Sequence, residues 1–116
     1  MGQFIVSKEL DGITVLGFSF NEIGLDQREV LKKELSDMIA AGKTRFVLNL
    51  SKVGFLSSLV IATIVFFAKE ARKSDGEVKL CELTNEALSI FQLTQLDKVF
   101  ELYETEDDAL QSYKVS

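Results

Sequence analysis

The stretch from residue 45 to residue 73 constrains the fold more than any other part of the sequence. It opens with the apolar run RFVLNL, passes through a glycine-containing turn, SKVGFLSS, and continues as LVIATIVFFAKEARK. The first of these runs, RFVLNL, is nearly continuous in apolar residues, which is typical of a central strand covered on at least one face. The residues that follow include Val, Ile, Thr and Phe, which favour strands. They run on into good helix formers with basic residues at the end, and Gly76 follows, so we expect a buried helix that is apolar all round.

Strands and helices are also predicted before this stretch. Asp11-Gly12 stands between two β-prone runs, residues 4–9 and 13–18, and indicates a hairpin, because such a turn needs residues that tolerate a positive φ. A helical period then runs from Leu25 or Asp26 to Ala41, and Gly42 ends it in the position where a left-handed residue is wanted.

After the stretch, the sequence predicts a strand over residues 77–81, a helix from a Thr84 cap to Leu93, a strand from Val99 to Leu102 and a helix capped by Thr105. The order is therefore ββαβαβαβα. It implies an α/β fold with a mixed, partly parallel sheet of four to five strands and about four helices packed on it. The helical periods also predict core-facing side chains, which are Val30, Leu31, Leu35, Met38 and Ile39 in the first helix and Leu88, Ile90 and Phe91 in the third.

Length and composition exclude several kinds of chemistry. The 116 residues fit a single domain, assigned to residues 1–116. There is no histidine and one cysteine, Cys81, which removes Ser-His-Asp and Cys-His nucleophiles and the usual zinc sites. The common glycine-rich phosphate loops do not occur. We therefore expect a protein that is not an enzyme and that holds no metal and no cofactor.

Charge and hydropathy limit the partners. The net charge of −5 argues against direct nucleic-acid binding, which depends on Lys and Arg at phosphates. The longest apolar run, residues 59–68, is too short to span a bilayer, and nothing at the N-terminus looks like a signal peptide. A cytoplasmic protein without membrane contact is expected. Lys8 and Glu9 would blunt pairing at the edge of the hairpin, so we expect a monomer or a weak dimer.

Ser57 and Ser58 stand where the turn meets the predicted helix. The structural interpretation is that one of them is an N-cap, which accepts a hydrogen bond from a free backbone N–H. The functional interpretation uses the same geometry, because the partial positive charge of a helix N-terminus tolerates a phosphate there. A phosphate adds a charge of about −1.5 to −2, which would repel an acidic partner or disrupt its packing. The two interpretations are compatible.

The sequence resembles the STAS-domain anti-sigma factor antagonists over nearly its whole length. Two stretches carry the resemblance, KTRFVLNLSKVGFLSS and LTQLDKVFELYETEDDAL. The first is similar to the family stretch in which a hydrophobic strand leads to an Asp-Ser-Ser/Thr-Gly-Leu motif. The resemblance implies a STAS-like fold. It also implies a phosphorylation switch, since a partner anti-sigma factor that is also a serine kinase modifies the serine after the aspartate. The unphosphorylated antagonist binds this factor and frees the sigma factor, and the phosphate blocks that binding.

Setting the sequence against this motif places Ser58 at the phosphorylated serine and Ser57 at the aspartate. Val60 replaces the glycine and adds bulk where a partner's backbone would approach. A shift of one residue would make Ser57 the target. The implied partner-binding residues are Phe55, Leu56, Ser57, Ser58, Leu59 and Ile61, with Asn21 and Glu22 from the loop at residues 19–24.

Three functions stay open at this point. The first is a regulatory binding module controlled by phosphorylation of Ser58, with an anti-sigma factor/serine kinase and a phosphatase as partners. The second is a STAS scaffold or docking module that is never phosphorylated, which the missing aspartate favours. The third is a small carboxylate-based enzyme or nucleotide-binding domain, which would need a deep pocket with converging Asp or Glu side chains. The exposure of Ser58 tests the first function, because a kinase cannot reach a buried hydroxyl.

Overall fold

A five-stranded mixed sheet organises the fold. The computed structural model describes residues 5–18, 25–53 and 57–114. The strands lie side by side in chain order, with β1 antiparallel to β2 and the other neighbours parallel. The strands are β1 (Ile5–Leu10), β2 (Ile13–Phe18), β3 (Arg45–Asn49), β4 (Glu77–Cys81) and β5 (Glu101–Tyr103), and the helices are α1 (Leu25–Ala40), α2 (Ser58–Lys73), α3 (Asn85–Leu93) and α4 (Glu106–Lys114). The predicted element order and fold class are confirmed.

The turn residues predicted from the sequence lie at the ends of the expected strands and helix. Asp11 and Gly12 have φ values of 52° and 81° and join β1 to β2, and Leu10 lies opposite Ile13 across the hairpin. Gly42 has a φ of 94° just after α1, as expected of a residue that ends a helix. Phe4, which the sequence assigned to the first strand, lies outside the described residues.

The two faces of the sheet are covered unequally. Because side chains alternate along a strand, each strand contributes to both faces. One face packs against α1, α2 and α3 and holds the larger core, in which the rings of Phe46 and Phe67 meet edge to face with their centroids 4.8 Å apart. Among the described helices, α4 is the one that covers the other face, through a smaller cluster that includes Val15, Ala109 and Tyr113.

Ion pairs hold α4 against the hairpin at both of its ends. At the start of α4, the Lys8 ammonium lies 2.9 Å from the Glu106 carboxylate. At its end, the Lys114 ammonium lies 3.2 Å from the Asp11 carboxylate. Lys8 and Asp11 belong to β1 and the turn that follows it, so the last described helix is joined to the first described hairpin.

Polar contacts also attach α4 to the middle of the sheet. The Tyr113 hydroxyl lies 2.9 Å from the Phe46 carbonyl oxygen and 3.0 Å from that of Glu77, and it donates to them. Lys79 is buried in β4, and its ammonium donates to the Ser112 hydroxyl at 2.8 Å. The same ammonium lies 4.1 Å from the centre of the Tyr113 ring, so its charge is not left unpaired in the interior.

Several core-facing predictions are wrong in detail. Val30 is 50% exposed, because α1 turns only its Leu31 side toward the sheet. Leu88 is half-buried but does not join the core cluster, whereas Phe91 is fully buried in it. The final strand begins at Glu101 rather than Val99, since a turn of 3₁₀ helix at residues 96–98 precedes it. The prediction that α2 is buried all round is also wrong, because residues on one of its sides stay exposed or half-buried.

Gly76 lies between α2 and β4, where the space available to its side chain, and not its φ angle, requires glycine. The residue with a left-handed backbone in this turn is Asp75, with a φ of 61°. A Cβ atom at Gly76 would lie 2.9 Å from the carbonyl oxygens of both Ala71 and Thr44. Two backbone segments therefore pass so close to this position that only glycine fits without a shift.

Candidate functional site

Ser57 is the N-cap of α2. Its backbone is extended, with φ −74° and ψ 166°, and its hydroxyl oxygen accepts the Val60 N–H at 3.2 Å. Its carbonyl oxygen accepts the Ile61 N–H at 3.0 Å. The predicted cap is therefore confirmed at the first of the two serines, and this cap fixes where the helix begins.

Ser58 is the first residue of α2 and is exposed. Its hydroxyl makes no hydrogen bond to any of the described residues, in contrast to the occupied hydroxyl of Ser57. The two neighbouring serines thus differ chemically, since one hydroxyl is used in the fold and the other is available to solvent.

The charge at the start of α2 differs from that at the next two helices. The first turn of α2 contains no acidic residue. The first turn of α3 contains Glu86, and that of α4 contains Glu106, Asp107 and Asp108. Because a helix N-terminus carries a partial positive charge, the carboxylates offset it at α3 and α4. No side chain of the first turn offsets it at α2, where Ser58 lies.

An apolar stripe continues from Ser58 along α2. Ile61, Ala62 and Val65 follow at the three-, four- and seven-residue spacing that keeps side chains on one side of a helix. Ala62 is exposed, and Ile61 and Val65 are half-buried. The opposite side of α2 carries the buried residues, which are Val60, Thr63, Ile64, Phe67, Ala68 and Ala71. The exposed hydroxyl is therefore at one end of a surface that is otherwise apolar.

The sequence prediction located only part of this surface. Leu59 and Ile61 lie in the first turn beside the two serines and are half-buried. Ala62 and Val65 were missed, although their spacing from Ser58 could have indicated them. Four of the predicted partner-binding residues lie outside the described part of the chain, namely Asn21, Glu22, Phe55 and Leu56.

Val60 does not act as the sequence suggested. Its side chain is only 2% exposed and belongs to the core under α2. The expectation that it adds bulk on a partner surface is wrong, because its side chain points away from solvent and fills the interior instead.

The one cysteine of the chain lies at the end of β4, not in the first turns of α2. Cys81 is buried, and burial together with the Glu106 and Glu82 carboxylates raises the pKa of its thiol to about 12. Its thiolate, the reactive form, is therefore scarce at neutral pH. Within residues 5–18, 25–53 and 57–114, no group of three or more His, Cys, Asp or Glu side chains could hold a metal ion. No helix in that part of the chain is long and apolar enough to cross a bilayer.

Comparison with known proteins gives a family match and a relative of similar length. The family model for the STAS domain matches residues 5–109. BtrV of Bordetella bronchiseptica, which is named as an anti-sigma factor antagonist, is 27% identical over 88 residues, or 76% of each chain.

Solved structures have the same fold at lower sequence identity. A Thermotoga maritima protein described as an anti-sigma factor antagonist superposes with a TM-score of 0.85 at 24% identity, over 93% of this chain and 92% of that one. The phosphorylated form of Bacillus SpoIIAA superposes with a TM-score of 0.71 at 18% identity, over 94% of this chain and 98% of that one.

Proposed function

The chain belongs to the STAS domain family, and from this premise we propose that it is a regulatory binding module of the anti-sigma factor antagonist type. The proposed partner is an anti-sigma factor that is also a serine kinase. Its docking surface is the first turns of α2, and phosphorylation of Ser58 ends the binding. A phosphatase restores the unmodified form. The module itself performs no catalysis.

The observation that carries this proposal is the exposed, unpaired hydroxyl of Ser58 at the start of α2. A kinase must bring the γ-phosphorus of ATP into line with the attacking oxygen, so the acceptor hydroxyl has to be accessible. In the proposed step the Ser58 Oγ–P bond forms and the bond between the γ-phosphorus and its bridging oxygen breaks. ADP leaves, and the hydroxyl proton goes to a base of the kinase.

The geometry also favours Ser58 over Ser57 as the acceptor. The Ser57 oxygen already accepts the Val60 N–H at 3.2 Å. A kinase that positioned this oxygen for attack would have to break that cap, which stabilises a helix by about 0.5–2 kcal/mol. Modification of Ser58 leaves the cap in place.

A phosphate at Ser58 would alter binding more than folding. The added charge of about −1.5 to −2 lies at the positive end of α2 and is tolerated by the helix. A partner that covers Ile61, Ala62 and Val65, however, would have to bury that charge or pack around it. The same phosphate is thus acceptable to the folded module and unfavourable in the complex.

Relatives support this class of function. BtrV is named as an anti-sigma factor antagonist, and SpoIIAA is a protein of this fold that exists in a phosphorylated form. The substitution of serine for the family's aspartate at position 57 keeps the N-cap, because both residue types cap helices well. It also removes a negative charge beside the proposed phosphate.

That same substitution favours a second candidate, a STAS scaffold that binds its partner and is never phosphorylated. A kinase that recognises an acidic residue beside its target would not find one in the first turn of α2. In this case Ser58 lies within a docking surface whose charge is never changed by phosphorylation.

Phosphosite mapping by mass spectrometry distinguishes the two. The protein is incubated with host lysate and ATP, and the occupancy of Ser58 is compared with that of Ser74, an exposed serine at the opposite end of α2. We expect phosphate on Ser58 and none on Ser74. We also expect Ser58→Asp to abolish binding to the partner kinase and Ser58→Ala to preserve it. Phosphate on Ser57 alone would mean that the phosphorylated residue is Ser57 and not Ser58. Absence of phosphate from both serines, while another kinase substrate in the lysate is modified, would favour the scaffold.

A further inference from the structure

We propose that the sheet face covered by α4 also holds a binding site for a small organic monoanion, a single acidic group on a compact apolar body. The site is a notch of about 250 Å³ where β2 and β3 end, beside the start of α4. Its lining contains neither Ser57 nor Ser58, so the site is additional to the proposed phosphorylation switch.

The floor of the notch is a position without a side chain. Gly17 of β2 lies directly opposite Val6 of β1 and Asn49 of β3. Residues opposite one another in a sheet point to the same face, and Gly17 shares its face with Val15, which packs under α4. Because neighbouring strands are about 4.8 Å apart, the backbones at Val6 and Asn49 are about 9–10 Å apart with no side chain between them. A flat apolar group has room there, against the backbone of Gly17.

The described chain does not fill this gap. The next row of the sheet, which contains Val15 and Val47, is buried under α4. In the row of Gly17, by contrast, Val6 is 65% exposed. Of the described residues, only Val6 has an atom within 4 Å of a Cβ built at Gly17, and that atom is its carbonyl oxygen at 3.8 Å. A small ligand can therefore rest on Gly17 without displacing a described side chain.

The charged groups of the notch leave one positive charge without a partner. The Glu106 carboxylate accepts the Asn49 amide N–H at 2.9 Å with one oxygen and lies 2.9 Å from the Lys8 ammonium with the other. Lys52 also lines the notch, is exposed and forms no ion pair with any described residue. The lining thus contains two ammonium groups and one carboxylate. A ligand with a single negative charge would neutralise the excess.

A second free donor stands beside Lys52. The Ser51 N–H donates to the Asn49 side-chain oxygen at 2.9 Å, which holds the turn after β3. The Ser51 hydroxyl, however, forms no hydrogen bond to the described residues. Together with the Lys52 ammonium it can donate to an acidic group, and hydrogen bonds to a charged acceptor are the stronger kind.

Size and charge define the ligand class. The volume of about 250 Å³ is just below that of sites for drug-sized molecules, so one ring or a short branched chain fits. A cation would be repelled by Lys52, and a polyanion would bring excess negative charge next to Glu106. The apolar part would cover Val6, and the acidic group would face Ser51 and Lys52.

The first test compares three probes of the same flat shape on the intact chain. Benzoate is an anion, benzamide is neutral and benzamidine is a cation at neutral pH. In an NMR titration at constant ionic strength, benzoate should shift the amide signals of Gly17, Ser51 and Lys52 with a Kd of about 1–10 mM, as expected of so small a ligand. Benzamide should bind about fivefold or more weakly, and benzamidine weaker still. Equal responses to the three probes, or shifts centred on another part of the sheet, would overturn the proposal.

A side chain added at Gly17 should block the notch. Gly17→Leu fills the gap, whereas Ser7→Leu adds the same side chain to an exposed position on the opposite face of β1. We expect Gly17→Leu to weaken benzoate binding about tenfold or more and Ser7→Leu to change it less than about twofold. Equal weakening by the two variants would overturn the proposal.

A charge substitution tests the notch without altering its floor. Lys52→Gln should weaken benzoate about threefold to tenfold and remove most of its advantage over benzamide. Lys69→Gln removes the same charge from an exposed position of α2 and should leave that advantage intact. If both variants act alike, net charge alone accounts for the preference and the proposed site is wrong. These titrations need neither kinase nor ATP, so their failure is distinct from failure of the phosphorylation switch.

Discussion

The hydroxyl oxygen of Ser57 lies 3.2 Å from the backbone nitrogen of Val60 and accepts its hydrogen, while the next residue, Ser58, has a free hydroxyl among the described contacts. Of these two adjacent serines, Ser57 caps α2 with its hydroxyl oxygen and Ser58 leaves its hydroxyl exposed to solvent. This division predicts different outcomes for the same substitution at the two positions.

Ser57→Ala should destabilise the fold. It removes the side-chain acceptor for the Val60 N–H, so we expect the free energy of unfolding to fall by about 0.5–2 kcal/mol. Urea denaturation measures this, with Ser57→Asp as the matched variant that restores a capping oxygen. A Ser57→Ala protein as stable as the unmodified one would show that the cap contributes nothing to the fold.

Ser58→Asp should stabilise the fold slightly even as it disrupts partner binding. The first turn of α2 lacks an acidic residue, so a carboxylate there should raise the free energy of unfolding by about 0.3–1 kcal/mol at low ionic strength. The gain should shrink in high salt. Ser74→Asp places the same charge at the other end of α2 and should have the opposite sign. A destabilised Ser58→Asp protein would mean that loss of binding could not be attributed to the surface alone.

Gly76→Ala should lower the stability of the fold, because the atoms that its new Cβ would meet belong to the backbone and cannot easily move aside. The new Cβ would lie 2.9 Å from the carbonyl oxygens of Ala71 and Thr44, and we expect a loss of about 1–3 kcal/mol, as for overpacked sites. Gly17→Ala is the control, since its nearest neighbour would be the Val6 carbonyl oxygen at an ordinary 3.8 Å. Thermal unfolding of both variants tests this, and similar melting temperatures would contradict the close approach.

Glu106 should make stability depend on pH in the acid range. Partial burial opposes its ionisation, but the Asn49 amide at 2.9 Å and the Lys8 ammonium, also at 2.9 Å, favour it, and together they hold the pKa of Glu106 below its usual value. A group whose pKa is lower in the folded state contributes stability above its unfolded pKa and loses it as the pH falls through the folded pKa.

Glu106→Gln removes this contribution. Denaturation at a series of pH values should show a stability difference from the unmodified protein at pH 7 that shrinks as the pH falls below the usual glutamate pKa of about 4.3. Glu34→Gln, an exposed change on α1, is the control for the loss of one negative charge. A constant difference across this pH range would mean that the carboxylate charge of Glu106 is not what stabilises α4.

The features that the sequence predicted well are local ones. Thr84 and Thr105 cap α3 and α4 as expected, accepting the N–H groups of Ala87 at 3.1 Å and Asp108 at 3.0 Å. A cap joins residues only three positions apart, so its signal is contained within a short segment. The hairpin turn at Asp11-Gly12 is local in the same way.

The features that the sequence did not predict depend on distant residues. The sequence predicts Gly76 only as the glycine that follows α2, whereas the constraint on it comes partly from Thr44, which is distant along the chain. Leu88 has the spacing of a core residue and yet faces a groove, because nothing in the described chain packs over it. The position of the candidate site came from the resemblance to a known motif, whereas the chemical difference between Ser57 and Ser58 required the structure.

Because α4 is the last described helix, one face of the sheet is covered late during synthesis. Ile13 and Val15 are buried on the α4 side of the sheet, and they leave the ribosome long before α4 does. At about 5–20 residues per second, these apolar residues wait on the order of ten seconds for the helix that covers them. During that interval these two side chains of β2 stay uncovered on this face, until α4 packs over them and Glu106 and Lys114 pair with Lys8 and Asp11.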